Sequence, residues 1–219
     1  MQTDKAIIFA NGEINDGLMV RRALEHASSA RLIAADGGAH VAERFGITPQ
    51  VIIGDMDSVD EQQLEHLIRA GIEVYRHPPA KNETDLELAL LYAVERGVRW
   101  IRVIGAIGGR LDQTLSNVYL LALPELRPFD VRLVSGNEEA LLMWPGTLTI
   151  VGAKGDTVSL LPVSGVARGI RTESLLYPLK SEELLFGPAR GVSNEMHGDS
   201  AQVHLREGAL LVLHTIGHA

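Results

Sequence analysis

Acids recur in this chain where apolar runs stop. "VIIGDMDSVD" carries the β-branched stretch Val51 to Ile53 into Gly54, then places Asp55, Asp57 and Asp60 in quick succession. "RLIAADGGAH" ends on Asp36 before Gly37 and Gly38, "KNETDLELAL" sets Asp85 at the head of a helical pattern, and "GAIGGRLDQT" puts Arg110 and Asp112 after Gly108 and Gly109. Carboxylates gathered in one crevice repel one another and hold protons more tightly. A cation removes that conflict, and magnesium accepts carboxylate oxygens while keeping places for water and phosphate. Glycines let a backbone approach phosphate, and Arg110 offers a planar fork of donors. Together these residue types suit the handling of a metal-bound polyphosphate.

Each feature also has a simpler use. Thr84 or Asp85 could cap a helix, Asp36-Gly37-Gly38 is an ordinary turn sequence, and Arg110 could pair with a surface carboxylate. Capping and turns leave unexplained why acids recur at strand ends, twice beside glycines. The chain lacks G-x-x-x-x-G-K-[ST] and has no G-x-G-x-x-G turn after its first strand, so neither a P-loop nor a dinucleotide site is indicated. The histidines show no H-E-x-x-H spacing, and a structural role is the default for His204 and His214 in their strand-like runs.

The elements that position these residues change character along the chain. Up to Ser135, strand-like runs such as "KAIIFA", "RLIAAD" and "WIRVIGA" alternate with helical ones such as "TDLELALLYAVERG", which reads as a largely parallel α/β sheet. In such sheets ligands bind beyond the carboxyl ends of the strands. After Ser135 the pattern turns to short strands, "LTIVG", "DTVSLLPV", "ELLFGP", "AQVHLRE" and "LLVLHT", separated by Gly, Pro and Ser-Asn. The expectation is an α/β domain over 1–140 and an all-β sandwich over 141–219, with the boundary between Gly136 and Gly146.

Composition narrows the chemistry further. The absence of cysteine excludes thiolate nucleophiles and cysteine zinc sites, and points to hard cations held by oxygen. A net charge of −8 without a long basic block speaks against a nucleic-acid partner. The N-terminus "MQTDKAIIFANGE" carries acids where a signal peptide would be basic or apolar, and no apolar run reaches about eighteen residues. A soluble cytoplasmic protein with no membrane partner is expected.

The ordered set "ADGGAH", "GDMDS", "KNETDLELAL", "GGRLDQTLSN" and, far downstream, "GVSNE" resembles the thiamin pyrophosphokinase family across nearly the whole chain. The resemblance implies a homodimer with shared active sites that transfers the pyrophosphoryl group of ATP to the hydroxyethyl oxygen of thiamin, giving thiamin diphosphate and AMP. It implies Asp55, Asp57 and Asp85 as Mg2+ ligands, Arg110 as a catalytic phosphate contact, and Asp112 as a metal-proximal acid or general base. Asp36 matches an acid of the active cleft. From the same loops Asn11, Gly37, Gly38, Lys81, Thr84, Gly109 and Gln113 join the candidate nucleotide-binding set. Ser193 and Asn194 are similar to residues that hold thiamin. Asn82 and Gln113 depart from bacterial relatives, which often carry Asp and His there. Competing readings are a pyrophosphokinase for a hydroxymethyl pterin, a haloacid-dehalogenase-like phosphatase using "DMDSV", and a non-catalytic nucleotide or thiamin sensor.

Overall fold

The computed structural model describes residues 3–56, 65 and 67–218. Asp57 and Asp60 lie outside the described residues, as do residues 61–64 and 66. The chain divides into two compact units, Met1–Gly136 and Asn137–Ala219.

In the first unit β1 (Lys5–Phe9), β2 (Arg31–Ala35), β3 (Val51–Gly54), β4 (Glu73–Arg76), β5 (Trp100–Ile104) and β6 (Asp130–Ser135) pair in parallel. Their order is β6-β5-β1-β2-β3-β4. Ala6, Ile7, Ile8 and Phe9 are fully buried, as central parallel strands covered on both faces must be. The chain runs outward from β1 through β4 and then returns to the other side of β1 as β5. In sheets of this kind ligands bind beyond the carboxyl ends of the strands near such a reversal.

Helices α1 (Leu18–Leu24), α2 (Gly38–Arg44), α3 (Asp85–Glu95) and α4 (Leu111–Leu120) connect these strands. Leu86, Ala89, Leu90 and Ala93 form the buried face of α3. Thr84 caps this helix, its Oγ1 accepting the Glu87 N–H at 3.2 Å. Asp85, the next residue, is thereby released from capping. No helix among the described residues is long and apolar enough to cross a membrane.

The second unit contains two antiparallel sheets. One has the order β12-β9-β14-β7, formed by β12 (Asn194–Glu195), β9 (Thr157–Pro162), β14 (Leu210–Thr215) and β7 (Glu138–Met143). The other runs β11-β10-β13-β8, from β11 (Lys180–Leu185), β10 (Val166–Glu173), β13 (Ser200–Leu205) and β8 (Gly146–Val151). Val158, Leu160 and Val212 of the first sheet share one core with Ile150, Ile170 and Val203 of the second. This is the sandwich expected after the α/β unit. β10 escaped the sequence reading because "VARGIRTE" breaks apolar alternation; its pairing with β11 shifts between Ala167 and Ile170, and Gly169 there has φ 65°.

His214 lies buried in this unit, with Nε2 3.0 Å from Asp156 Oδ2 and Nδ1 3.5 Å from Glu139 Oε1. Burial alone would lower the His214 pKa, but hydrogen bonds and charge from Glu139 and Asp156 outweigh it and raise the pKa above its ordinary value. Asp156 is pushed upward by burial. Donation from Gly217 N–H, His214 and Ala153 N–H prevails and holds its pKa below the usual carboxylate value.

Candidate active site

Asp36 follows β2, Asp55 follows β3 and Asp85 opens α3, and one carboxylate oxygen from each lies within 4.8 Å of the others. The parallel pairing of β2 with β3 causes the first half of this convergence. Ala35 stands opposite Ile53, and the ladder continues one step as Asp36 N–H donates to Ile53 C=O at 2.8 Å. Asp36 then takes a left-handed backbone (φ 41°), as does Met56 (φ 59°). Non-glycine residues seldom adopt this conformation, and its cost is tolerated mainly where the surroundings fix it. All three acids are half-buried. Lys81 Nζ meets Asp85 Oδ1 at 2.6 Å and offsets one of the charges. Three converging hard oxygens fit a divalent cation such as magnesium.

Beside the acids lies a cavity of about 340 Å³, whose lining includes Asn11, Asp36, Thr84, Asp85, Arg110 and Gln113. Of the remaining predicted nucleotide-binding residues, Gly37 and Gly38 stand behind this wall. A side chain at Gly37 would collide with Asn11, and one at Gly38 with the Phe9 carbonyl, so these glycines bring the start of α2 against the end of β1. Lys81 acts on the site through Asp85, and Gly109 sits in the loop ahead of α4.

Arg110 and Asp112 form a two-pronged ion pair, Nε to Oδ1 at 3.1 Å and Nη2 to Oδ2 at 2.5 Å, with both side chains largely exposed. Hydrogen bonding to Arg110 is the main cause holding the Asp112 pKa below the usual carboxylate value, and the same bond raises that of Arg110. Among the described residues the group of converging carboxylates consists of Asp36, Asp55 and Asp85 and does not include Asp112.

Residues that the sequence reading passed over contact the glycine loop. Thr114 Oγ1 accepts the Gly108 N–H at 3.1 Å, Asn117 Nδ2 donates to Ala106 C=O at 2.8 Å, and Glu13 Oε2 accepts the Gly109 N–H at 3.0 Å. Glu13 stood in plain sight as the acid of "FANGE" after β1. The polar positions one helical turn apart on α4 were the available signal for Thr114 and Asn117.

The second unit has a cavity of about 440 Å³, lined mainly by apolar residues, including Leu160, Tyr177 and Val192, with Lys180, Arg190 and Asn194 among its polar groups. Ser193 adopts a left-handed backbone (φ 58°) and its N–H donates to Ser159 Oγ at 3.0 Å. The Asn194 amide clamps one residue from both sides, Oδ1 accepting Tyr177 N–H at 3.0 Å and Nδ2 donating to Tyr177 C=O at 2.7 Å. Asn194 thus fixes the cavity wall at Tyr177.

An acidic crevice at the strand ends of a parallel α/β unit, followed in one chain by a β-sandwich with its own cavity, defines a two-unit class of ligand-handling protein. Residues 22–133 match the family description "Thiamin pyrophosphokinase, catalytic domain" and residues 147–210 match "Thiamin pyrophosphokinase, vitamin B1 binding domain". The chain belongs to the thiamin pyrophosphokinase family. It is 27% identical over 182 residues to thiamine pyrophosphokinase of Bacillus subtilis (strain 168), covering 83% of this chain and 85% of that protein. The crystal structure of thiamine pyrophosphokinase from Bacillus subtilis superposes with a TM-score of 0.82 at 26% identity, over 97% of this chain and 99% of the other. That of thiamin pyrophosphokinase from Geobacillus thermodenitrificans gives 0.80 at 26% identity, over 96% of each.

Proposed function

We propose that this chain is a cytoplasmic enzyme transferring the pyrophosphoryl group of ATP to the hydroxyethyl oxygen of thiamin, yielding thiamin diphosphate and AMP. The convergence of Asp36, Asp55 and Asp85 beside a glycine-walled cavity carries the reading. ATP and Mg2+ are assigned to the first unit and thiamin to the second, in keeping with the family descriptions that each matches. Asp36, Asp55 and Asp85 would hold magnesium, and Asp57 remains a further candidate ligand. When bound, the ion supplies positive charge against the phosphoryl oxygens.

The chain's own groups perform the remaining work. A primary alcohol is far too weak an acid to ionise beforehand at neutral pH, so its proton must leave as the new O–P bond to the β-phosphorus forms. The bond from that phosphorus to the AMP oxygen breaks in the same displacement, and AMP departs with the electron pair. Asp112 is the proposed acceptor of the alcohol proton. Its pairing with Arg110 makes it a poor base in the arrangement described, and transfer of the Arg110 fork to phosphate would restore its basicity. One residue change in Arg110 contacts thus links polyphosphate binding to activation of the base.

A homodimer with shared sites is part of the proposal. Leu111, Leu115 and Tyr119 recur every four residues on α4 and are exposed, an apolar stripe suited to burial against a second chain.

Incubation with ATP, magnesium and thiamin tests the function. AMP with thiamin diphosphate is expected. ADP would instead indicate a kinase, and phosphate release without transfer a phosphatase; either would defeat the reading.

A further inference from the structure

Two donor groups of the glycine loop are already engaged by the protein's own carboxylates. Gly109 N–H donates to Glu13 Oε2 at 3.0 Å, while Asp112 holds the Arg110 fork. Glu13 comes from the loop after β1 and is exposed, so it reaches the Gly109 donor from the opposite side of the strand reversal. The seat is close-fitting: a Cβ at Gly108 would lie 2.6 Å from Glu13 Oε2 and 2.8 Å from its Cβ. Loop shape has separate support, because Thr114 Oγ1 contacts both Gly108 N–H and C=O while Asn117 holds Ala106 C=O.

We propose that Glu13 is a specificity residue of this site, an internal anion that occupies the Gly109 donor until the phosphoryl oxygens of a metal-complexed polyphosphate displace it. The inference rests on reading the crevice as the ATP site. One N–H cannot serve a carboxylate and a phosphoryl oxygen at full strength, so phosphate must expel Glu13 from its seat. Even when expelled, its charge remains near the polyphosphate. That charge repels metal-free ATP strongly and magnesium-complexed ATP less, because the ion has neutralised part of the ligand. Glu13 therefore favours the reactive complex over the free nucleotide.

Calorimetric titration of the full chain with ATP, in excess magnesium and in a chelator, tests this for wild type, Glu13→Gln and Glu25→Gln. Glu13→Gln preserves length and an acceptor oxygen but removes the charge; Glu25→Gln removes the same charge from an exposed residue at the C-terminal end of α1, with no contact to the glycine loop among the described hydrogen bonds. Relative to wild type, Glu13→Gln is expected to bind metal-free ATP about tenfold more tightly and the magnesium complex by a smaller factor. Glu25→Gln should change neither appreciably. Unchanged or weaker binding of metal-free ATP by Glu13→Gln, or an equal gain from Glu25→Gln, would overturn the proposal, and weaker binding would mark Glu13 as a brace of the loop. A wild-type thiamin diphosphate assay run in parallel separates the two failures. Activity with no Glu13 effect defeats this inference alone, whereas wild type that neither binds ATP nor forms product removes the site reading and the inference with it.

Discussion

Gly54 and Asp36 stand so close that a Cβ at position 54 would lie 2.8 Å from the Asp36 Cβ and 3.1 Å from its Cα. The last residue of β3 must therefore lack a side chain for the acid after β2 to keep its place. Gly54→Ala should displace Asp36 and weaken magnesium activation, with a stability loss of about 1–3 kcal/mol typical of overpacking. Urea unfolding and a magnesium titration check this; a variant with normal activation and normal stability would refute the packing argument.

Asp36→Asn and Asp55→Asn each remove one charge from a group of converging carboxylates. Activity should fall by about two orders of magnitude or more, while the thermal midpoint without magnesium should hold or rise because repulsion is relieved. Asp85→Asn differs, since it also strips Lys81 of its ion-pair partner, and a loss of about 1 kcal/mol in stability should accompany the lost activity. Near-normal rates across a magnesium titration would sink the metal assignment. Asp57→Asn provides the corresponding test for the proposed ligand outside the described residues.

Among the described residues Arg110 pairs with the exposed Asp112. Arg110→Lys keeps the charge and loses the planar fork, so ATP affinity or turnover should fall substantially while thermal unfolding stays near wild type. Full activity in Arg110→Lys combined with a destabilised Arg110→Ala would assign the residue to the fold.

The buried His214 gives the second unit a pH dependence of defined sign. Its raised folded pKa contributes stability that is fully present below the ordinary value of 6.5 and is lost as pH rises through the folded value. Asp156, with a lowered pKa, contributes above its ordinary value of 3.8 and loses that contribution as pH falls through the folded value. Stability from this pair should therefore be greatest between these ordinary values and decline on both sides. Glu139→Gln removes one cause of the His214 shift and should move the alkaline decline to lower pH in denaturant titrations. An unchanged alkaline limb would show that Glu139 does not raise the His214 pKa.

The shared-site dimer can be examined by subunit mixing. Asp112→Asn and Asn194→Ala homodimers are each expected to be strongly impaired. In a mixed dimer with shared sites, one site carries both lesions and the other neither, so activity should return as subunits exchange. Verified heterodimers without recovery would reject sharing and leave the transfer reaction standing.

By itself, the sequence determined the two kinds of architecture and where the acids fall along the chain. Apolar runs with period two or 3.6 are local properties, and Thr84 could be recognised as a cap because its partner, Glu87 N–H, is three residues away. Only the tertiary structure decided which acids meet. The order β6-β5-β1-β2-β3-β4 brings Asp36 beside Asp55 and Asp85, whereas the local geometry at the start of α4 gives Asp112 to Arg110. Glu13 meets Gly109 and Asn194 clamps Tyr177 for the same reason: these contacts join residues distant in sequence. β10 needed its neighbours as well, since its polar, glycine-interrupted sequence becomes a strand by pairing with β11 and β13. Periodicity records which face of an element is buried; strand order and backbone pairing determine which distant groups share that space.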